Sequence, residues 1–224
     1  MTRLAVFDCD GTLVDSGASI FAAIAMTLAQ HGRQIPPQQQ CRRVIGLSLS
    51  EALGELAPTA TRQELEQLVA DYKTNFAGLR NAGRIDEPLF DGVPELLDAL
   101  EADGWLLAVA TGKSDRGLGH CLAGHGLHAR FVSLQTADRH PSKPDPAMVR
   151  QAMADAGASP DTTFVVGDTS FDMGMARAAG ATAIGAAWGY HPADELLAAG
   201  AHAVADTPLD VLALLPLLME PSRG

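Results

Sequence analysis

Two carboxylates one residue apart, Asp8 and Asp10, close the apolar run Leu4–Phe7 and are followed by Gly11 and Thr12. Alternate side chains of an extended chain point the same way. An extended backbone therefore puts both carboxylates in one small volume, where they repel unless a cation neutralises them or one takes a proton. Either outcome is useful chemistry. One carboxylate can attack while its neighbour moves a proton, and magnesium, a hard cation, prefers oxygen donors of this kind. The competing reading is a plain turn, since Asp and Gly both favour turns.

Three further polar segments recur along the chain. In Ala110-Thr-Gly-Lys-Ser114, Thr111 offers a hydroxyl and Gly112 allows close backbone approach. Ser114 then opens a helix whose N–H groups favour an anion. In Ser142-Lys-Pro-Asp-Pro146, prolines on either side stiffen the backbone around Lys143, which suits a fixed charge. The run Val165-Val-Gly-Asp168 ends a strand, and Asp172 follows four residues later on the same side of a helix. Taken singly, these are a common turn, an exposed loop lysine and an ordinary helix cap. Together, each at the end of a strand, they call for a common explanation.

The elements that must position them follow from the apolar pattern. Leu4–Phe7 is short and wholly apolar, as a strand buried on both faces requires. From about residue 92, strands and helices alternate. Strands are expected at Trp105–Ala110, Phe131–Leu134, Thr163–Val166, Thr182–Ala186 and Ala203–Val204. Helices are expected at Val93–Ala102, Ser114–Ala123, Pro146–Ala156, Phe171–Ala179, Glu195–Ala199 and Leu209–Leu218. Such alternation implies a doubly wound, Rossmann-like parallel sheet with helices on both faces, and in these sheets ligands bind at the carboxyl ends of the strands. Residues 16–83 read as helices only. Leu65, Leu68, Val69, Tyr72, Phe76 and Leu79 mark one amphipathic face, and Thr61 with Glu64 forms a capping box before it. Gln38–Val44 and Ser50–Leu56 are shorter helices. The chain is thus an α/β core of residues 1–15 and 84–224 with a helical insert at 16–83, rooted beside the predicted site where a lid would have to hinge.

With 47% apolar and 19% charged residues, a large core is expected and disorder is not. Sixteen basic against 27 acidic residues give a net charge of −11, which speaks against nucleic acid. An anionic substrate must then meet a local positive site, a bound metal with a lysine. Cys9, Cys41 and Cys121 show neither zinc spacing nor a disulfide framework. Cys9 should face away from the aspartates as a packed, inert thiol. With no leader-like start and no run of membrane-spanning length, no membrane partner is expected, and a reducing cytoplasm is the default.

Asp8-x-Asp10-Gly11-Thr12-Leu13-x-Asp15, then Thr111-Gly112, Lys143-Pro144 and Gly167-Asp168-x-x-x-Asp172, resembles the four-motif signature of the haloacid dehalogenase superfamily over the whole core. The helical insert after the first motif resembles its phosphoglycolate phosphatase and β-phosphoglucomutase branch. The resemblance implies that Asp8 is the nucleophile of an aspartyl-phosphate mechanism and that Asp10 is the acid and then the base. Thr111, the Gly112 N–H and Lys143 hold the phosphoryl oxygens. Magnesium is bound by Asp8, the Asp10 carbonyl and Asp168, with Asp172 either a ligand through water or the orienter of Lys143. Dehalogenases that resemble this fold lack an acid at position 10. A phosphonatase would need an insert lysine for a Schiff base, and Lys73 lies off the apolar stripe.

In this branch the insert chooses the leaving group. Arg42-Arg43-Val-Ile-Gly46 is its expected contact, with Arg43 either on a substrate carboxylate or simply a surface charge. The expected activity is magnesium-dependent hydrolysis of a small phosphorylated metabolite of the phosphoglycolate type by a monomer or homodimer. The alternatives are a phosphosugar mutase, a pyrophosphatase and a phospho-ligand-binding regulator. His191 reads as a loop or surface residue, and Trp188 and Tyr190 as packing near the site rim.

Overall fold

The computed structural model describes residues 1–219, so the last five residues of the expected core lie outside it. Six strands form one parallel sheet: β1 (Thr2–Phe7), β2 (Leu106–Thr111), β3 (Phe131–Thr136), β4 (Ala158–Gly167), β5 (Thr182–Ala186) and β6 (Ala203–Ala205). Their order is β3-β2-β1-β4-β5-β6. The chain builds outward from β1 on one side, crosses back, and builds outward on the other. The direction reverses between β1 and β4, and that is where a doubly wound sheet opens a crevice.

Alternation along β1 sorts its side chains to two cores. Ala5 and Phe7 pack with α5 (Val93–Ala102), α6 (Asp115–Gly124) and α10 (Asp210–Leu218). There Phe164 stands edge-on to both Phe7 and Trp105, with ring centroids 6.4 and 4.8 Å apart. Leu4 and Val6 face the other way, onto α7 (Ala147–Ala156) and α8 (Ser170–Ala179), through Met148, Val149, Ala152, Met173 and Ala176. The remaining helix, α9 (Ala193–Ala198), closes this second face with Leu196.

Between β1 and α5 run α1 (Gly17–Gln30), α2 (Gln38–Arg42), α3 (Leu49–Leu56) and α4 (Arg62–Asn81), with no strand among them. They share a core of their own that includes Ile24, Leu28, Leu53 and Leu68. The capping box of Thr61 and Glu64 starts α4 as expected.

Of the element boundaries that differ from expectation, two do so for visible reasons. Strand β4 begins at Ala158 and not at Thr163, because Ala158 pairs with Thr2 across a shift of register. Helix α2 stops at Arg42, short of Val44. The chain then turns through Gly46, at φ 101°, to reach the sheet.

Candidate active site

The sheet register brings the expected residues to one edge. Phe7 is level with Val109 of β2 and Val166 of β4, and the Asp8 N–H still donates to the Val166 carbonyl at 3.0 Å. Asp8 therefore emerges between Thr111 and Asp168. Asp8, Asp10, Thr111, Lys143, Asp168 and Asp172 are all buried.

Asp8, Asp168 and Asp172 each present an oxygen within 4.8 Å of the others. The Lys143 ammonium lies 2.8 Å from Asp8 Oδ1 and donates to Asp172 Oδ1 at 2.7 Å. Burial opposes its charge, but Asp172 and Asp8 hold the Lys143 pKa above its usual value. The Asp8 contact is ionic without hydrogen-bond alignment, and among the described residues neither Asp8 oxygen receives a hydrogen bond. Burial pushes the Asp8 carboxyl up from 3.8 to about 7, against the pull of Lys143. Burial, with Asp172 and Asp8 beside it, raises Asp168 well above its usual value. Three buried carboxylates facing one ammonium are short of positive charge. Among the described residues Asp8 Oδ1 has only the Lys143 ammonium and Asp8 Oδ2 has no partner, where buried polar atoms are normally satisfied. A hard divalent cation with oxygen ligands fits this donor set.

The supporting contacts set each carboxylate. Asp168 accepts from Thr12 Oγ1 and from the Tyr190 N–H, both at 2.9 Å. The loop between Asp10 and Thr12 passes so close that a Cβ on Gly11, at φ 85°, would lie 2.2 Å from Asp168 Oδ2. Asp172 caps α8, where its Oδ2 accepts from the Thr169 N–H at 3.1 Å. It is thus a helix cap and the partner of Lys143 at once. The side chain of Asp10 stands apart from the trio. It accepts from Ser16 Oγ and lies 2.8 Å from Lys113 Nζ.

The helical unit reaches the site through residues 43–48. A Cβ on Gly112 would sit 2.3 Å from the Leu47 carbonyl oxygen, so only glycine lets β2 end against this loop. Gly46 rests beside Thr169 and Phe171, and the Ser48 N–H donates to Ser142 Oγ at 2.8 Å. Arg43 is exposed and forms a two-pronged pair with Glu195 at 3.0 and 2.7 Å. Its guanidinium points to α9 and away from the carboxylates.

His191 is buried, contrary to expectation. Its Nδ1 accepts from the Ser170 N–H and its Nε2 donates to the Arg43 carbonyl, both at 3.2 Å. The indole of Trp188 donates to the Thr12 carbonyl at 3.0 Å. Cys9 is buried as expected, with its sulfur 3.8 Å from that of Cys121.

Sequence reasoning assigned no role to Lys113, Glu87, Ser16 or the Tyr190 N–H. Lys113 had a signal, since it directly follows Thr111-Gly112. Glu87 had none, because its partner lies 26 residues away.

Known proteins resemble this chain over most of its length. A family model described as haloacid dehalogenase-like hydrolase matches residues 5–186. A probable phosphatase, IndB, of Dickeya dadantii is 37% identical, with 100% of this chain aligned to 98% of that protein. A phosphoglycolate phosphatase of Xylella fastidiosa is 32% identical over 84% of this chain and 81% of its own. The crystal structure of a hydrolase from Pseudomonas syringae superposes with a TM-score of 0.85 at 28% identity, covering 98% of this chain and 100% of that one.

Proposed function

The chain belongs to the haloacid dehalogenase-like hydrolase family, and on that premise we propose that it is a magnesium-dependent phosphatase of small phosphate monoesters, with phosphoglycolate as the reference substrate, working through an aspartyl-phosphate on Asp8. The observation that carries this reading is Asp8 itself. It is a buried carboxylate whose oxygens take no hydrogen bond among the described residues, and it sits against Lys143 and two further acids.

In the first step an Asp8 oxygen attacks phosphorus and the bond to the ester oxygen breaks. Asp10 supplies the proton that the departing alcohol needs. In the second step water attacks the acyl phosphate, Asp10 takes up its proton, and inorganic phosphate leaves with Asp8 restored. Lys143, the Thr111 hydroxyl and the Gly112 N–H balance the charge on the phosphoryl oxygens. Asp8, Asp168 and Asp172 would hold magnesium, with the Asp10 carbonyl as a further ligand. That ion supplies the positive charge that lets an anionic nucleophile approach an anionic phosphate.

The test is phosphate release from phosphoglycolate, hexose phosphates, nucleotides and pyrophosphate, with and without magnesium, by wild type and Asp8→Asn. Magnesium-dependent release, lost in the variant and accompanied by acid-stable trapping of phosphate on the wild-type protein only, is the expected result. Appreciable release by Asp8→Asn would overturn the reading.

A further inference from the structure

The apolar stripe of α4 is only partly used as core. Leu68 and Leu79 are buried, but Val69, Tyr72 and Phe76 remain partly exposed. These three line a cavity of about 610 Å³ between the helical unit and the sheet, and Ile20 extends the same wall. Asp10, Gly112 and Lys113 belong to the cavity as well, so it reaches the proposed acid and base.

The wall is flat and held rigid. Tyr72 and Phe76, one helical turn apart, stack with ring centroids 5.8 Å apart and planes 27° from parallel. One turn further on, the Arg80 guanidinium lies 5.4 Å from the centre of the Phe76 ring, and Glu87 holds that guanidinium at 2.8 Å. Aromatic rings fixed on a helix offer contact area at low entropic cost, and they favour an offset or edge-on aromatic partner.

The apolar part of this cavity, at Ile20 and Val69, receives a second carboxylate poorly. Of its cationic groups, Lys113 and Arg80 are each bonded to Glu87, while Lys73 and Arg116 are exposed to water. Arg43 is held by Glu195. A carboxylate placed against Ile20 and Val69 would lose its water without gaining a donor.

We propose, resting on the phosphatase reading above, that the ester cleaved here is that of an alcohol bearing an aromatic or heteroaromatic ring. The ring lies against Val69, Tyr72 and Phe76, with the phosphoryl group directed to Asp8.

The experiment compares kcat/KM for benzyl phosphate, glycerol 3-phosphate and 2-phosphoglycolate. All three release an alkyl oxygen, so the ratio reports recognition of the alcohol. Wild type is expected to favour benzyl phosphate over 2-phosphoglycolate by about tenfold or more, the scale on which apolar pockets discriminate. Phe76→Ala should lower benzyl phosphate turnover by about tenfold more than that of 2-phosphoglycolate. Tyr72→Leu keeps apolar bulk while removing a ring, and it should act in the same direction if Phe76→Ala folds poorly. A wild-type preference for 2-phosphoglycolate, or variants that leave the benzyl preference intact or lower both esters equally, would overturn this inference alone. No turnover of any ester by wild type would overturn the phosphatase reading and this inference with it.

Discussion

The ammonium of Lys113 lies 2.8 Å from Asp10 Oδ1 and 2.8 Å from Glu87 Oε1, with all three side chains nearly buried. Burial opposes the lysine's charge, but Asp10, followed by other acidic neighbours including Glu87, holds its pKa well above the usual value. Glu87 lies on the segment that returns from α4 to the sheet, and it is also paired with Arg80 at 2.8 Å. Ser16, whose hydroxyl donates to Asp10, lies on the segment that leaves for α1. Both connections to the helical unit thus bear on the proposed acid and base.

Lys113→Met should therefore misplace the Asp10 carboxyl. Because kcat/KM covers the steps through departure of the alcohol, the loss should depend on how much that alcohol needs a proton. General acid catalysis contributes about 10²–10⁴-fold, so an expected fall of about 100-fold for an alkyl phosphate should greatly exceed the fall for 4-nitrophenyl phosphate. Steady-state kinetics on the two esters checks this, and equal losses would show that Lys113 does not act through proton transfer.

Asp8 predicts a pH-dependent stability. Its folded pKa is raised from 3.8 to about 7 by burial. Below 3.8 the carboxyl is protonated whether the chain is folded or not. As pH rises towards 7 the unfolded chain ionises first, so the folded state loses stability, and above about 7 the loss is complete. Asn has no such ionisation. In chelator, the unfolding temperature of Asp8→Asn should gain on that of wild type as pH rises from 4 to 8, whatever the variant's activity. A gap that stays constant across that range would contradict the assignment.

Magnesium should relieve the same charge imbalance. A ligand that binds only the folded state raises its stability, so added magnesium should raise the wild-type unfolding temperature, and more at pH 8 than at pH 5. Asp168→Asn removes one of the three clustered carboxylates and should lose most of that rise. An undiminished rise in this variant would place the ion elsewhere.

Gly112→Ala puts a methyl group 2.3 Å from the Leu47 carbonyl oxygen and 2.7 Å from that of Gly46. Either the loop at 43–48 lifts from the sheet or the end of β2 shifts. Overpacking of this kind costs about 1–3 kcal/mol, which denaturant unfolding can read. Turnover should fall further than that loss accounts for, because the displaced Gly112 N–H is the one proposed to meet the phosphoryl group. Wild-type kinetics in Gly112→Ala would count against the close contact.

The parallel α/β core and the trio of Asp8, Asp168 and Asp172 were legible because both rest on local patterns. An apolar run names a buried strand, and the polar residues just beyond it lie at its carboxyl end whatever the rest of the chain does. Lys143 was legible by the same logic, through the prolines around it. Arg43 was not. Its neighbours in sequence do not reveal that Glu195 lies opposite it, 2.7 Å away in the fold.

The sequence by itself thus determined the sheet, the helical insert and the set of groups that meet at the strand ends, since each follows from residues close together in the chain. Only the tertiary structure decided that Lys113 joins Asp10 to Glu87, and that Val69, Tyr72 and Phe76 face a cavity while Leu68 and Leu79 face the core. The physical reason is the same in both cases. Helical periodicity tells which side chains share a face, but what that face meets depends on how the helical unit docks on the sheet.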